Sequence, residues 1–138
     1  MTNPSTNGIV LFAHGSRDPL WRLPMEAVLA RMRAEQPALE VRCAYLELCA
    51  PDLPSTVAAM AAQGITQVGI VPMFLGTGRH AREDLPRMVE ELSQAFPQMR
   101  LHLSPPIGED ERMTALMARI AAEALVQHPV NMFSIRGF

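Results

Sequence analysis

One stretch constrains the fold of this chain more than any other: Gly8 to Pro19, GIVLFAHGSRDP. Ile9, Val10, Leu11 and Phe12 are β-prone and apolar in succession, which leaves no face of the segment for water. Such a run fits a strand buried on both sides, as in parallel sheets packed between helices. It stops abruptly at His14, Gly15, Ser16, Arg17 and Asp18, so a loop follows at the carboxyl end of the strand. An imidazole fixed one residue beyond a rigid strand, with small residues around it, is suited to building a site. A second stretch, Val71 to Pro86 (VPMFLGTGRHAREDLP), repeats the arrangement with His80. The expectation is that the fold brings these two imidazoles together.

The rest of the chain alternates helix and strand signals. Asp18 and Pro19 form a helix start that Pro24 would interrupt, so the regular first helix is predicted from Pro24 to Gln36, with Met25, Val28, Leu29 and Met32 as its apolar stripe. Leu39 to Tyr45 alternates at period two, the pattern of an edge strand, and leads to Glu47 just past its end. Pro51 and Asp52 open a second helix striped by Leu53, Val57, Met60 and Ala61 and closed at Gly64. Gln67 to Val71 reads as a third strand. Leu85, Met88, Val89, Leu92 and Phe96 mark a third helix, with Glu83 and Asp84 at its start, ended by Pro97. Met99 to Leu103 reads as a fourth strand running into Pro105, Pro106, Ile107 and Gly108. A last helix from Asp110 to Gln127 carries Met113, Leu116, Met117, Ile120, Ala124 and Leu125. His128 to Phe138 carries no clear assignment.

Strands alternating with helices imply right-handed crossovers and a parallel sheet covered on both faces. The expected fold is therefore α/β, a single small doubly wound domain over residues 1–138 with a mostly parallel four-stranded sheet flanked by helices. In such a sheet ligands bind at the carboxyl edge, where the strand order reverses. His14, Glu47, His80 and the Pro-Pro-Ile-Gly turn each follow a successive strand at that edge.

Composition narrows the partners. At 138 residues with 49% hydrophobic content and a net charge of -2, the chain builds an ordinary core and has no electrostatic support for nucleic-acid binding. All twelve basic residues are Arg, which compositional bias explains more simply than selection for carboxylate-binding forks. Cys43 and Cys49 lack CxxC spacing and fit reduced thiols. The amino terminus shows no secretory pattern, and no apolar run approaches the roughly 20 residues that span a bilayer. A cytoplasmic protein without membrane contact is expected.

Two histidines with a nearby carboxylate suit a divalent first-row metal, and a site with two protein ligands stays open for exchange or chemistry. Each residue also has a plainer role. His14 and His80 could be hydrogen-bonded loop histidines, Ser16 a loop-capping hydroxyl, and Gly15, Gly76 and Gly78 turn residues at positive φ. Glu83 and Asp84 fit the dipole at a helix start, with orientation of an imidazole as the alternative. Arg17, Arg79 and Arg82 flank the histidine loops and could be solvated or could grip carboxylates. His102 and His128 read as structural, and Met73 as packing. Neither GxxxxGK[ST] nor GxGxxG is present, so a nucleotide site is discounted.

Taken together, His14-Gly15-Ser16-Arg17-Asp18-Pro19, Pro72-Met73-Phe74-Leu75 leading to Gly78-Arg79-His80 and Asp84-Leu85-Pro86, and Pro105-Pro106-Ile107-Gly108 resemble the CbiX family of class II tetrapyrrole chelatases. The similarity runs through nearly the whole chain in the same order, and its length matches the short form. The resemblance implies a homodimer enclosing the cleft and an enzyme that inserts Co2+ or Fe2+, with Ni2+ a further candidate, into sirohydrochlorin on the route to cobalamin or sirohaem. It implies no organic cofactor, the metal being a substrate. It assigns metal binding to His14 and His80, and a part in the reaction to Glu47. Because sirohydrochlorin is rimmed with carboxylates, Ser16, Arg17, Gly78, Arg79 and Arg82 are added as candidate substrate-binding residues from their position. The histidine-rich metal store of some relatives is missing.

Two other classes of function compete. A non-catalytic metal or tetrapyrrole carrier would use the same cleft. A histidine phosphoenzyme is disfavoured, because the position before His14 holds Ala13 where phosphohistidine phosphatases need an arginine.

Overall fold

In the computed structural model the described residues are 6–127, so the segment from His128 onward, left unassigned above, lies outside them. Four parallel strands, β1 (Asn7–Ala13), β2 (Glu40–Tyr45), β3 (Gln67–Pro72) and β4 (Arg100–Leu103), lie in the order β2-β1-β3-β4. β1 pairs with β2 on one side, Leu11 opposite Cys43, and with β3 on the other, Leu11 opposite Val71. The all-apolar run of β1 is thus explained by its central place, and β2 is an edge strand as its alternation predicts. The chain leaves β1 towards β2 and later returns to its opposite side. The switch point therefore falls between β1 and β3, the strands that precede the two histidines.

Helices α1 (Leu23–Glu35), α2 (Leu53–Ala62), α3 (Arg79–Ala95), α4 (Glu111–Ala122) and the short α5 (Ala124–Gln127) complete the described chain. Asp18 accepts the Leu20 amide and opens a 3-10 turn over Pro19–Arg22, so α1 begins beyond it, with Pro24 in its first turn where no N–H is needed. In α2 the Asp52 carboxylate accepts the Ser55 amide at 2.8 Å, and Gly64 beyond its end takes φ +86. Both ends follow the sequence signals.

Two expectations need correction. α3 starts at Arg79, a full turn before Glu83, and continues through Pro86. Pro86 removes one N–H from the helix, which leaves the Arg82 carbonyl without its ordinary donor. Glu83 and Asp84 are consequently not at the helix start; they pair with Arg79 and Arg87 along the helix surface. Second, the last helix is divided at Glu123 into α4 and α5. Helices cover both faces of the sheet, as expected, though unequally. One face packs Val10, Phe12, Ala44, Val68 and Ile70 against Leu53, Val57 and Met60 of α2 and Leu85, Val89 and Leu92 of α3. The other packs Leu11, Ala13, Val41 and Tyr45 against Met25, Leu29 and Met32 of α1. α4 buries no residue: Met113 and Met117 of its stripe are half-buried, while Leu116 and Ile120 are exposed, Ile120 at 59%. No described helix is long and apolar enough to cross a membrane.

Candidate functional site

The carboxyl rim of β1 and β3 is built by backbone contacts that its sequence dictates. Gly15 takes φ +98, and a Cβ there would lie 1.8 Å from the Glu47 carbonyl oxygen. Only glycine permits that approach. Through it the β1–β2 ladder continues past both strands: the Leu46 amide donates to the Ala13 carbonyl at 2.9 Å and the Glu47 amide to the His14 carbonyl at 3.0 Å. Glu47 is thereby held beside His14, with its side chain exposed. Leu48, next in the loop, adopts φ 69, an uncommon conformation for a leucine.

On the other side, the Met73 amide donates to the Phe12 carbonyl at 2.7 Å, extending the β1–β3 pairing to the start of the next loop. Phe74 then turns into the core, 3% exposed, while Leu75 beside it is 69% exposed. The Pro-Pro-Ile-Gly turn fixes this loop from behind. The Gly108 amide donates to the Phe74 carbonyl at 2.9 Å, and a Cβ on Gly108 would fall 1.9 Å from the Leu75 carbonyl oxygen.

His14 is exposed at the end of β1, its ring stacked on Phe74 with centroids 4.2 Å apart and planes 23° from parallel. His80 is not in the loop, as the sequence suggested, but in the first turn of α3. It lines a cavity of about 90 Å³ together with Phe12, Leu46, Phe74 and Asp84. Phe74 is therefore common to both histidines, stacking with one and sharing a cavity wall with the other. Among the described residues no three His, Cys, Asp or Glu side chains gather closely enough to hold a metal ion. His14, His80 and Glu47 thus share one rim without forming a closed, preformed metal cage. A structural metal site is normally closed by four ligands.

The remaining sequence candidates fall into two groups. The Ser16 hydroxyl accepts the Asp18 amide at 3.1 Å, which is the loop-capping role. Arg79 pairs with Glu83 at 3.4 Å on the surface, and Arg17 is exposed. Arg82 lines a further cavity of about 140 Å³ with Thr77, Ser104 and Glu109, on the β4 side of the rim. Gly76 and Gly78 do not take positive φ and face open space, so turn geometry does not explain them. Gly78 caps α3 without a side chain and leaves the backbone there uncovered.

Two residues escaped sequence reasoning. Phe74 stood only as part of a motif, though a lone aromatic one residue past a strand and its following methionine was a visible signal. Thr77, hidden between two glycines, has a buried hydroxyl with no hydrogen-bond partner among the described residues. Leu46, Leu48 and Leu75 give the rim an exposed apolar edge between its polar groups.

Strand order and rim together define a small parallel α/β domain with two histidines on the rim at its topological switch point. The chain belongs to the CbiX family, whose model matches residues 8–124. It is 27% identical over 132 residues to the sirohydrochlorin ferrochelatase of Priestia megaterium, covering 95% of this chain and 50% of that protein. It is 26% identical to the sirohydrochlorin cobaltochelatase of Methanosarcina acetivorans, covering 86% of this chain and 96% of that one. The chain thus spans about half the length of the ferrochelatases it matches and nearly all of a cobaltochelatase. Among solved structures, the CbiX protein of Marinobacter aquaeolei VT8 superposes with a TM-score of 0.72 at 33% identity, covering 88% of this chain and 98% of that one. The sirohydrochlorin chelatase SirB of Bacillus subtilis subspecies spizizenii, solved in complex with cobalt, superposes with a TM-score of 0.70 at 29% identity, covering 86% of this chain and 51% of SirB.

Proposed function

We propose that this chain is a sirohydrochlorin chelatase, forming nitrogen–metal bonds by inserting Co2+ or Fe2+ into the macrocycle on the way to cobalamin or sirohaem. In this reading His14 and His80 replace part of the hydration shell of the incoming ion. Two nitrogen donors hold the metal loosely enough to pass it on. The ion displaces two pyrrole protons as it enters the ring. Glu47 is the first acceptor for them, and the imidazoles accept once the metal has left. Ser16, Arg17, Gly78, Arg79 and Arg82 meet the carboxylates around the tetrapyrrole, and the edge of Leu46, Leu48 and Leu75 lies against its flat face.

The observation that supports this reading is the position of Phe74 at the switch point between β1 and β3, stacked on His14 and lining the same cavity as His80. The open rim favours transfer over storage, since no closed donor set exists among the described residues. Two copies of this one domain acting together would match the size of the double-length relatives, and the exposed Leu116 and Ile120 of α4 support such a homodimer. The free thiols of Cys43 and Cys49 fit a cytoplasmic enzyme.

The test is metal insertion followed by the absorbance change of sirohydrochlorin, with spontaneous insertion subtracted, using Co2+, Fe2+ and Ni2+ in parallel. Rates above the spontaneous background are expected for Co2+ or Fe2+, and His14→Ala and His80→Ala are each expected to return the rate to that background with the fold intact. Tight binding of metal or macrocycle without faster insertion would turn the assignment to a carrier.

A further inference from the structure

One cavity lies away from the histidine rim. It has a volume of about 360 Å³ and lies along the free edge of β2, between α1 and α2. Arg22, Arg33 and Arg42 line it, with Glu26 the one carboxylate in the lining, and Cys43 and Tyr45 contribute from the strand. We propose that this groove is a second binding site, separate from the rim and independent of the chelatase reading, which takes a small molecule bearing a phosphate or carboxylate group.

Its charge and its unused donors carry the argument. The Arg22 Nε is buried in the structure without a hydrogen-bond partner among the described residues. Arg33 spends one nitrogen on the Val41 carbonyl, at 3.0 Å, and the rest of its donor fork has no hydrogen-bond partner among the described residues. Arg42 is engaged at both ends, donating to Gln63 at 2.7 Å and lying 3.3 Å from the Glu40 carboxylate. With Arg42 paired to Glu40, the three guanidinium groups stand against two carboxylates, Glu26 and Glu40, and one unit of positive charge is left for an oxyanion to balance.

The strand edge adds a backbone donor. The Val41 carbonyl and the Tyr45 amide both point away from β1, the one held by Arg33 and the other by the Pro51 carbonyl at 2.9 Å. Backbone groups of residues two apart on a strand point the same way. The Cys43 N–H between them therefore faces the groove. Planar guanidinium forks with an adjacent amide form the donor set that phosphate and carboxylate groups accept. Leu29 and Ala59 supply apolar walls for the body of the ligand.

The chain contains a built-in reporter. Its one tryptophan, Trp21, precedes Arg22 and meets Tyr45 edge-on with centroids 6.0 Å apart. The full chain is titrated with sodium phosphate and, separately, with sodium citrate, against sodium chloride at matched ionic strength, while Trp21 emission is recorded. A saturable change below about 10 mM is expected with phosphate, citrate or both, and not with chloride. Phosphate alone identifies a phosphate ester as the ligand class, citrate alone a polycarboxylate, and both a general oxyanion site. Arg33→Gln combined with Arg42→Gln is expected to weaken binding at least about tenfold, in line with the loss of charge-assisted hydrogen bonds. Arg22→Gln provides the same comparison should circular dichroism show the double variant unfolded. An equal response to chloride, no response to either anion, or unchanged affinity in the folded variants overturns the proposal.

Discussion

His14 and Phe74 stack at 4.2 Å, joining an exposed imidazole at the end of β1 to an aromatic ring buried in the core beyond β3. The orientation of the imidazole is thereby tied to the packing of the sheet and not to the loop alone. Phe74→Leu keeps an apolar side chain of similar reach in the core but removes the flat surface. It is expected to cost about 1–2 kcal/mol of stability and to slow metal insertion by about tenfold to a hundredfold through misaimed imidazole. Thermal denaturation and the insertion rate check the two effects separately, and an unchanged rate would show that the stack does not orient the site.

Gly15 and Gly76 flank the same rim but carry opposite expectations. At Gly15 an alanine meets both a positive φ and the Glu47 carbonyl oxygen. Gly15→Ala should therefore destabilise by about 1–3 kcal/mol or more and displace Glu47, lowering insertion. A Cβ added at Gly76 would meet nothing within 4 Å, so Gly76→Ala should leave melting temperature nearly unchanged. Parallel melts of the two variants test the contrast.

Glu47→Gln preserves size and the backbone bond to His14 while removing the basic oxygen. Ion binding, measured by equilibrium dialysis, should be retained, and insertion should fall by about two orders of magnitude, the scale of a lost general base. Equal rates in wild type and variant would remove Glu47 from the proton path.

Asp110 caps α4, and its hydrogen bonds from Arg112 hold its carboxyl down at about 2. Because that value lies below the ordinary 3.8, the charged cap favours the folded helix above about pH 4, and the benefit is lost as pH falls towards 2. Helical circular dichroism should decline across this interval in the wild type. Asp110→Asn, which can still cap but does not titrate, should show a smaller decline over the same range.

Much of this arrangement was legible in the sequence, and the parts that were not have identifiable causes. The apolar run of β1, the alternation of β2 and the Asp52 and Gly64 signals around α2 are local and strong, and the structure follows them. The start of α3 is hidden because its capping residue, Gly78, has no side chain and Pro86 lies inside the helix, so both punctuation marks point to a later start. The same concealment makes His80 read as a loop residue when it belongs to a helix. Periodicity identifies the apolar side of α4 but contains no information about what lies against it, and in the structure that side is only partly covered. The pairing of β1 with β3 is a condition the sequence can state but not decide, since neighbour choice depends on long-range contacts.

The proline within α3 has a consequence for the group mounted ahead of it. His80 stands on a segment joined to the body of its helix by one link fewer than a regular turn would have. A side chain carried on such a weakened support needs less free energy to change its aim than one anchored in an unbroken helix. If His80 is the ion donor proposed above, a mount that gives way would help it first to capture the metal and then to surrender it.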